Sequence, residues 1–113
     1  MKIKKLTVTI NGPLWRIRDF EIEGISVIDK WQEDTDQSKG TVTVTDWAVS
    51  EDDTLDVLIA IGAPNGSTYS VTLSGITDEI PARKIDYGED NFKVVKSGRL
   101  TIIISRKIMD IIS

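Results

Sequence analysis

Two short acidic segments, Glu33-Asp34-Thr35-Asp36 and Glu51-Asp52-Asp53, are the most concentrated chemistry in the chain. A hard cation such as Ca²⁺ takes roughly six to eight oxygen ligands, so Glu33, Asp34 and Asp36 form a candidate metal site. The pattern is incomplete. Asp34-x-Asp36 begins as an EF-hand loop does, but the sixth position is Lys39, where that loop needs glycine, and the twelfth is Thr45 in place of glutamate. The strand expected between the two segments separates them by about 20–25 Å at roughly 3.3 Å per residue, so they do not share an ion. A solvated, solubilising surface accounts for the same residues, and no cofactor is required.

Three tryptophans, Trp15, Trp31 and Trp47, are the other candidates. An indole exposed on a β face beside carboxylates or amides stacks on the apolar face of a sugar ring while the polar groups take its hydroxyls. Trp31, Trp47 and the adjacent Asp46 are the candidate ligand-binding residues. Core packing is the competing role, because tryptophan is highly buried on average.

Histidine and cysteine are absent from all 113 residues. Their absence excludes disulfides, Cys/His zinc sites, thiolate nucleophiles and histidine-based triads. Paired carboxylates run glycosidases, but nothing in the sequence sets two of them across a cleft. The expectation is a protein that is not an enzyme. Net charge is −4 and pI about 4.8, which disfavours a nucleic-acid partner held through phosphates. No segment is apolar for the roughly 18–20 residues that a membrane span needs. Polar Thr7, Thr9 and Asn11 interrupt the stretch after the basic start, so the chain is expected to be cytoplasmic or a mature segment whose leader has been removed.

The elements that must carry these residues are strands. Ile, Val and Thr supply 37 positions, against 6 Leu and 4 Ala. Branching at Cβ stiffens χ1 and suits the pleated sheet, while the best helix formers are scarce. Alternation predicts strands over residues 2–10, with Leu6, Val8 and Ile10 on one face, and over 14–22, with an ambiguous parity that signals a bulge. It predicts a strand over 25–31 and an acidic loop over 32–40. The next strand, 41–47, has Val42 and Val44 on one face and Thr41, Thr43, Thr45 and Trp47 on the other. In the strand at 55–61, Leu55, Val57, Ile59 and Ile61 point inward, with Leu58 and Ala60 covered on the reverse. Lys2, Lys4, Lys5, Arg16 and Arg18 read as outward charges that protect an edge.

Pro64-Asn65-Gly66 reads as a three-residue hairpin loop, with Gly66 in the left-handed position. Period-2 alternation then sets Ile61 opposite Tyr69, Ile59 opposite Val71 and Val57 opposite Leu73. Residues 76–80 read as a turn or short edge strand and 83–87 as a strand. Gly88-Glu89-Asp90-Asn91 reads as a turn into 92–96, and Ser97-Gly98 as a second hairpin signal before 100–105. The apolar end, Ile108, Met109, Ile111 and Ile112, docks on the domain's own core or buries against a second copy, and is the candidate homo-oligomer interface.

One domain, residues 1–113, is therefore expected to be an all-β, two-layer antiparallel β-sandwich of about seven to nine short strands and of immunoglobulin-like size, with a small barrel or jelly roll as the alternative. The functional expectation is a non-enzymatic module that binds a carbohydrate or protein ligand through loops and exposed tryptophan. The alternative is a structural or assembly subunit that self-associates through edge strands and the apolar C-terminus.

Overall fold

The computed structural model describes residues 2–13, 16–35, 38–49 and 53–110. The chain is a two-layer antiparallel β-sandwich with no barrel closure. Its strands are β1 (Lys2–Asn11), β2 (Arg16–Ile22), β3 (Ile25–Ser26), β4 (Gln32–Glu33), β5 (Lys39–Ala48), β6 (Thr54–Gly62), β7 (Thr68–Thr77), β8 (Arg83–Lys93), β9 (Arg99–Lys107) and β10 (Met109–Asp110). One sheet runs β10-β8-β7-β1-β5-β4 and the other β3-β2-β6-β9. We call these the wide and the narrow sheet.

Period-2 alternation built the core as the sequence implied. Leu6, Val8 and Ile10 of β1, Val42 and Val44 of β5, and Leu55, Val57, Ile59 and Ile61 of β6 are all buried. Tyr69, Val71 and Leu73 of β7 join the β1 and β5 residues on the inner face of the wide sheet, opposite those of β6. β6 is central in the narrow sheet, but among the described residues no further layer covers its reverse face, where Leu58 and Ala60 are half-buried. The expected bulge in β2 is present: Ile17 pairs with Ile61 but Phe20 with Ile59, so β2 carries one extra residue.

The hairpin expected at residues 55–75 does not form. β6 pairs with β2 and β9, and β7 pairs with β1 and β8, so the two strands lie in opposite sheets. Their apolar faces meet across the core instead of side by side. Alternation cannot separate these outcomes, because both bury the same residues. Gly66 takes the expected left-handed conformation, φ +94°, and Ser67 N donates to Pro64 O at 3.1 Å. Asn65 and Gly66 are thus the central turn residues.

Ser97-Gly98 makes the return crossing, from β8 in the wide sheet to β9 in the narrow one, with both residues at positive φ. The two crossings are tied together. Ala63 N donates to Gly98 O at 2.9 Å, and Gly98 N to the Asn65 Oδ1 at 3.0 Å. Gly66 N donates to Val94 O at 2.7 Å, and Val94 N to Ser67 O at 2.9 Å.

Two further expectations are corrected, and the chain end takes one of its expected alternatives. Residues 88–91 are not a turn: β8 runs straight through them, and the break in pattern is a bulge, since Thr72 and Ser74 pair with Glu89 and Asp86. Residues 25–31 form only the two-residue β3 and a 3₁₀ turn at Ile28–Lys30, and the expected loop over 32–40 contains β4, hairpinned onto β5. The chain end is a strand extension: Ile108 is 1% exposed in the domain's own core, and Met109 pairs with Lys84 of β8. Burying an isoleucine stabilises by about 2 kcal/mol relative to leaving it exposed, which favours docking at home. Arg83 secures this end, with Nη1 2.8 Å from Asp53 Oδ2 and Nη2 donating to Ile108 O at 2.6 Å. Ile108 is therefore not available as an interface residue, Met109 is half-exposed at 50%, and Ile111 and Ile112 lie outside the described residues.

Asn65→Ala removes the acceptor for Gly98 N while leaving the turn residues Gly66 and Gly98 in place. Urea unfolding should show a loss of about 0.5–1.5 kcal/mol, the usual value of one such hydrogen bond.

Candidate functional site

Trp31 lies directly over Gly40 of β5, and a Cβ at Gly40 would collide with the indole. Its ring is tilted 44° to Phe20 at 6.0 Å between centroids, and Nε1 donates to Glu33 Oε1 at 2.9 Å. Asp34 closes the β4–β5 hairpin, its Oδ1 accepting from Ser38 N and Lys39 N, both at 3.2 Å. Glu33 and Asp34 are thus held in the hairpin, and Asp36 lies outside the described residues. Among the described residues, no three carboxylates gather closely enough to hold a metal ion.

Trp47 stands seven residues along β5 from Gly40, about 23 Å at roughly 3.3 Å per residue, so the two indoles do not share a site. It does not join the threonine face. Asp46 takes the left-handed conformation, φ +52°, which reverses the alternation after Val44. Neighbouring β1 makes the same reversal: Ile3 pairs with Trp47 and both turn toward the core, while Lys4 and Lys5 are both exposed. Because both strands carry the extra residue, their mutual register continues, and only β7 registers a shift between Ile3 and Lys5. Trp47 packs against the core, with Nε1 buried and without a hydrogen-bond partner. Asp46 lines a groove of about 540 Å³ with Lys4, Lys5, Asp78 and Glu79. Trp15 lies outside the described residues.

The outer face of the wide sheet is a hydroxyl surface. Thr43, Thr7 and Ser74 align across β5, β1 and β7, and so do Thr41, Thr9 and Thr72. Thr7 and Thr43 hydroxyls are 3.4 Å apart. The next row, Asn11, Ser70 and Asn91, spans β1, β7 and β8, where a groove of about 600 Å³ opens. Thr68, Glu89, Phe92 and Lys93 also line it. Gly12 and Tyr69 line it as well. A Cβ at Gly12 would lie 2.5 Å from Thr68 O and 2.6 Å from Tyr69 Cδ1, and φ is +147° there, so only glycine lets the chain pass. Tyr69 donates its hydroxyl to Pro13 O, and burial pushes its phenol above the ordinary value of 10.0.

This groove brings together two amides, two hydroxyls, a carboxylate and an ammonium on rigid strands. Each Asn side chain offers two donors and an acceptor, and each hydroxyl donates and accepts. The set can engage neighbouring hydroxyls of one ligand. Sequence reading missed it because Asn11 and Asn91 looked like turn residues. Only the pairing of β7 with both β1 and β8 brings them into one row. No protein-family model matches the chain, and neither curated proteins nor solved structures give a match. No helix among the described residues is long and apolar enough to cross a membrane.

Two outcomes check this geometry. Gly40→Ala should displace the Trp31 indole, seen as a red shift of tryptophan emission with a lower Tm. On the narrow sheet, hydrogen bonding to Asp19 and repulsion from its carboxylate hold Glu21 above its ordinary 4.5. A carboxyl with a raised folded-state pKa binds its proton more tightly when folded, so ionisation lowers stability as pH rises through that value. Glu21→Gln should therefore raise Tm at pH 7, and the gain should vanish once pH falls below the ordinary carboxylate range.

Proposed function

We propose that this protein is a non-enzymatic binding module whose groove at Asn11, Ser70 and Asn91 takes a polyhydroxylated ligand of the carbohydrate class. The observation that carries the reading is the register itself, which lines two amides and a hydroxyl across three adjacent strands in a groove of about 600 Å³. Ligand pockets of small molecules run from about 300 to 1,000 Å³ with a few placed polar groups, and this groove falls in that range. Lys93 and Glu89 at its rim suit a sugar carrying a charged substituent. The tryptophans enter this proposal only as packing: Trp31 lies over Gly40, and Trp47 packs against the core. No metal is part of it.

Calorimetric titration with cello-, chito-, xylo- and malto-oligosaccharides tests the reading, with amide chemical shifts locating the ligand. One class should bind with shifts centred on residues 11, 70 and 91. Asn91→Ala should weaken that binding about tenfold, the value of roughly one good hydrogen bond, with Tm unchanged. Absence of binding at millimolar sugar, or shifts centred on Trp31 instead, would overturn it.

A further inference from the structure

Gly62 ends β6 and stands in a row with Arg16 of β2 on one side and Arg99 of β9 on the other. Ile61 and Ala63 are buried, so this row opens on the outer face of the narrow sheet. The bulge in β2 brings a third arginine to it. With a Cβ placed on Gly62, Arg16 Cβ and Arg18 Cδ would each lie 3.8 Å away, an ordinary contact. Gly98 O, 3.9 Å from the same point, already accepts from Ala63 N. The backbone therefore does not require glycine: φ is not positive, and a side chain would fit. Glycine weakens a strand, and one of its uses there is to let a ligand come close. Edge protection accounts for Arg16 and Arg18, but not for the missing side chain between them and Arg99.

Adjacent strands lie about 4.8 Å apart, so the backbones of Arg16 and Arg99 are roughly 10 Å apart across Gly62. Long side chains lean over such a gap from both sides. All three arginines are exposed, and none is held in an ion pair among the described residues. Lys96 adds a fourth cation across the turn, its carbonyl accepting from Arg99 N at 3.4 Å. Residues 57–77 and 91–109 contain no carboxylate. On this face the carboxylates begin with Asp19, which pairs with Ala60, two residues from Gly62. Asp19 Oδ1 accepts from Phe20 N at 2.8 Å, and its carboxylate is hydrogen-bonded to Glu21, which pairs with Leu58, farther from Gly62. Asp56 lies farther still, beside Ser105.

We propose that Arg16, Arg18 and Arg99 bind one phosphomonoester group over Gly62. Guanidinium forks match phosphate oxygens in pairs, and a phosphomonoester carries nearly two negative charges with three acceptor oxygens. A sulfate ester carries only one charge and gains less from three cations. The cations stop at Asp19 and Glu21, whose carboxylates repel a second phosphate placed along the strand, so the surface suits a single group and not the backbone of a nucleic acid. The site lies on the opposite sheet from the groove at Asn11, Ser70 and Asn91 and does not depend on it.

The probes are glucose 6-phosphate and a phosphoserine hexapeptide, with glucose 6-sulfate and free glucose as controls, titrated into the full chain at matched ionic strength. At pH 8 a phosphate ester should give saturable amide shifts centred on residues 16, 18, 62 and 99. Either carrier binding there supports the assignment, and the tighter one names the source. Binding should weaken at pH 5, once the phosphate takes up its second proton at about pH 6, whereas the sulfate ester should bind more weakly at both. The double variant Arg16→Gln/Arg99→Gln should lose about tenfold or more in affinity with Tm unchanged. Gly62→Val should abolish binding while raising Tm, because a β-branched residue suits the strand. Overturning results are shifts that never saturate, the same shifts with free glucose, full binding by either variant, or tighter binding of a twelve-residue oligonucleotide without a terminal phosphate. Oligosaccharide binding at the groove should be unchanged in the double variant, so failure of either test leaves the other standing.

Discussion

Two chain crossings, tied to one another by hydrogen bonds, hold this sandwich in its arrangement. The chain passes from the narrow to the wide sheet at residues 63–67 and back at residues 94–98, and four bonds join the passages. Immediately beyond them, β6 pairs with β9 in one layer and β7 with β8 in the other. One clasp therefore sets the registers of both sheets. A slip by a single residue in either layer would turn its apolar set toward solvent, so the clasp and the buried faces enforce the same arrangement.

The proposed groove depends on that clasp. Thr68 pairs with Lys93 directly beside it, and two residues further along Ser70 pairs with Asn91 and Asn11. The polar row therefore sits on strands whose offset is set a few ångströms away. Tyr69, which lines the groove, reaches Pro13, tying the segment after β1 to β7. Binding groups held by strand pairing lose little conformational entropy when a ligand arrives, which is what a hydrogen-bonding site without large apolar walls requires.

Much of the fold was legible because side-chain alternation is a direct consequence of pleating. It named the buried faces of β1, β5, β6 and β7, and it located the bulge in β2. It could not assign strands to sheets. Tyr69, Val71 and Leu73 look the same to alternation whether β6 lies beside β7 or faces it. Trp47 was misplaced for a local reason, since an aspartate at positive φ reverses parity without any glycine to announce it. In β8, Gly88-Glu89-Asp90-Asn91 has turn composition but forms a bulge, because β7 continues alongside and keeps the backbone paired. The groove was illegible for the same reason as the sheet order: its residues are 59 and 21 positions apart in sequence and meet only through pairing.

Neighbouring strands in the chain seldom pair in this molecule. Among the long strands of the described residues, only β7 and β8 are consecutive and hydrogen-bonded to each other; β1 waits for β5 and β7, and β6 for β9. Forming each of those ladders requires a long loop to close before any contact compensates for the lost chain entropy. Such topologies reach the native state slowly, on a scale of about milliseconds to seconds. During that interval segments such as Thr41-Val42-Thr43-Val44-Thr45 and Leu100-Thr101-Ile102-Ile103-Ile104 are unpaired, and both have the β-branched, uncharged composition of aggregating strands. The charges that border them, Lys39 and Asp46 on one and Arg99 and Arg106 on the other, then act as guards of the nascent chain, keeping it dispersed until the layers close.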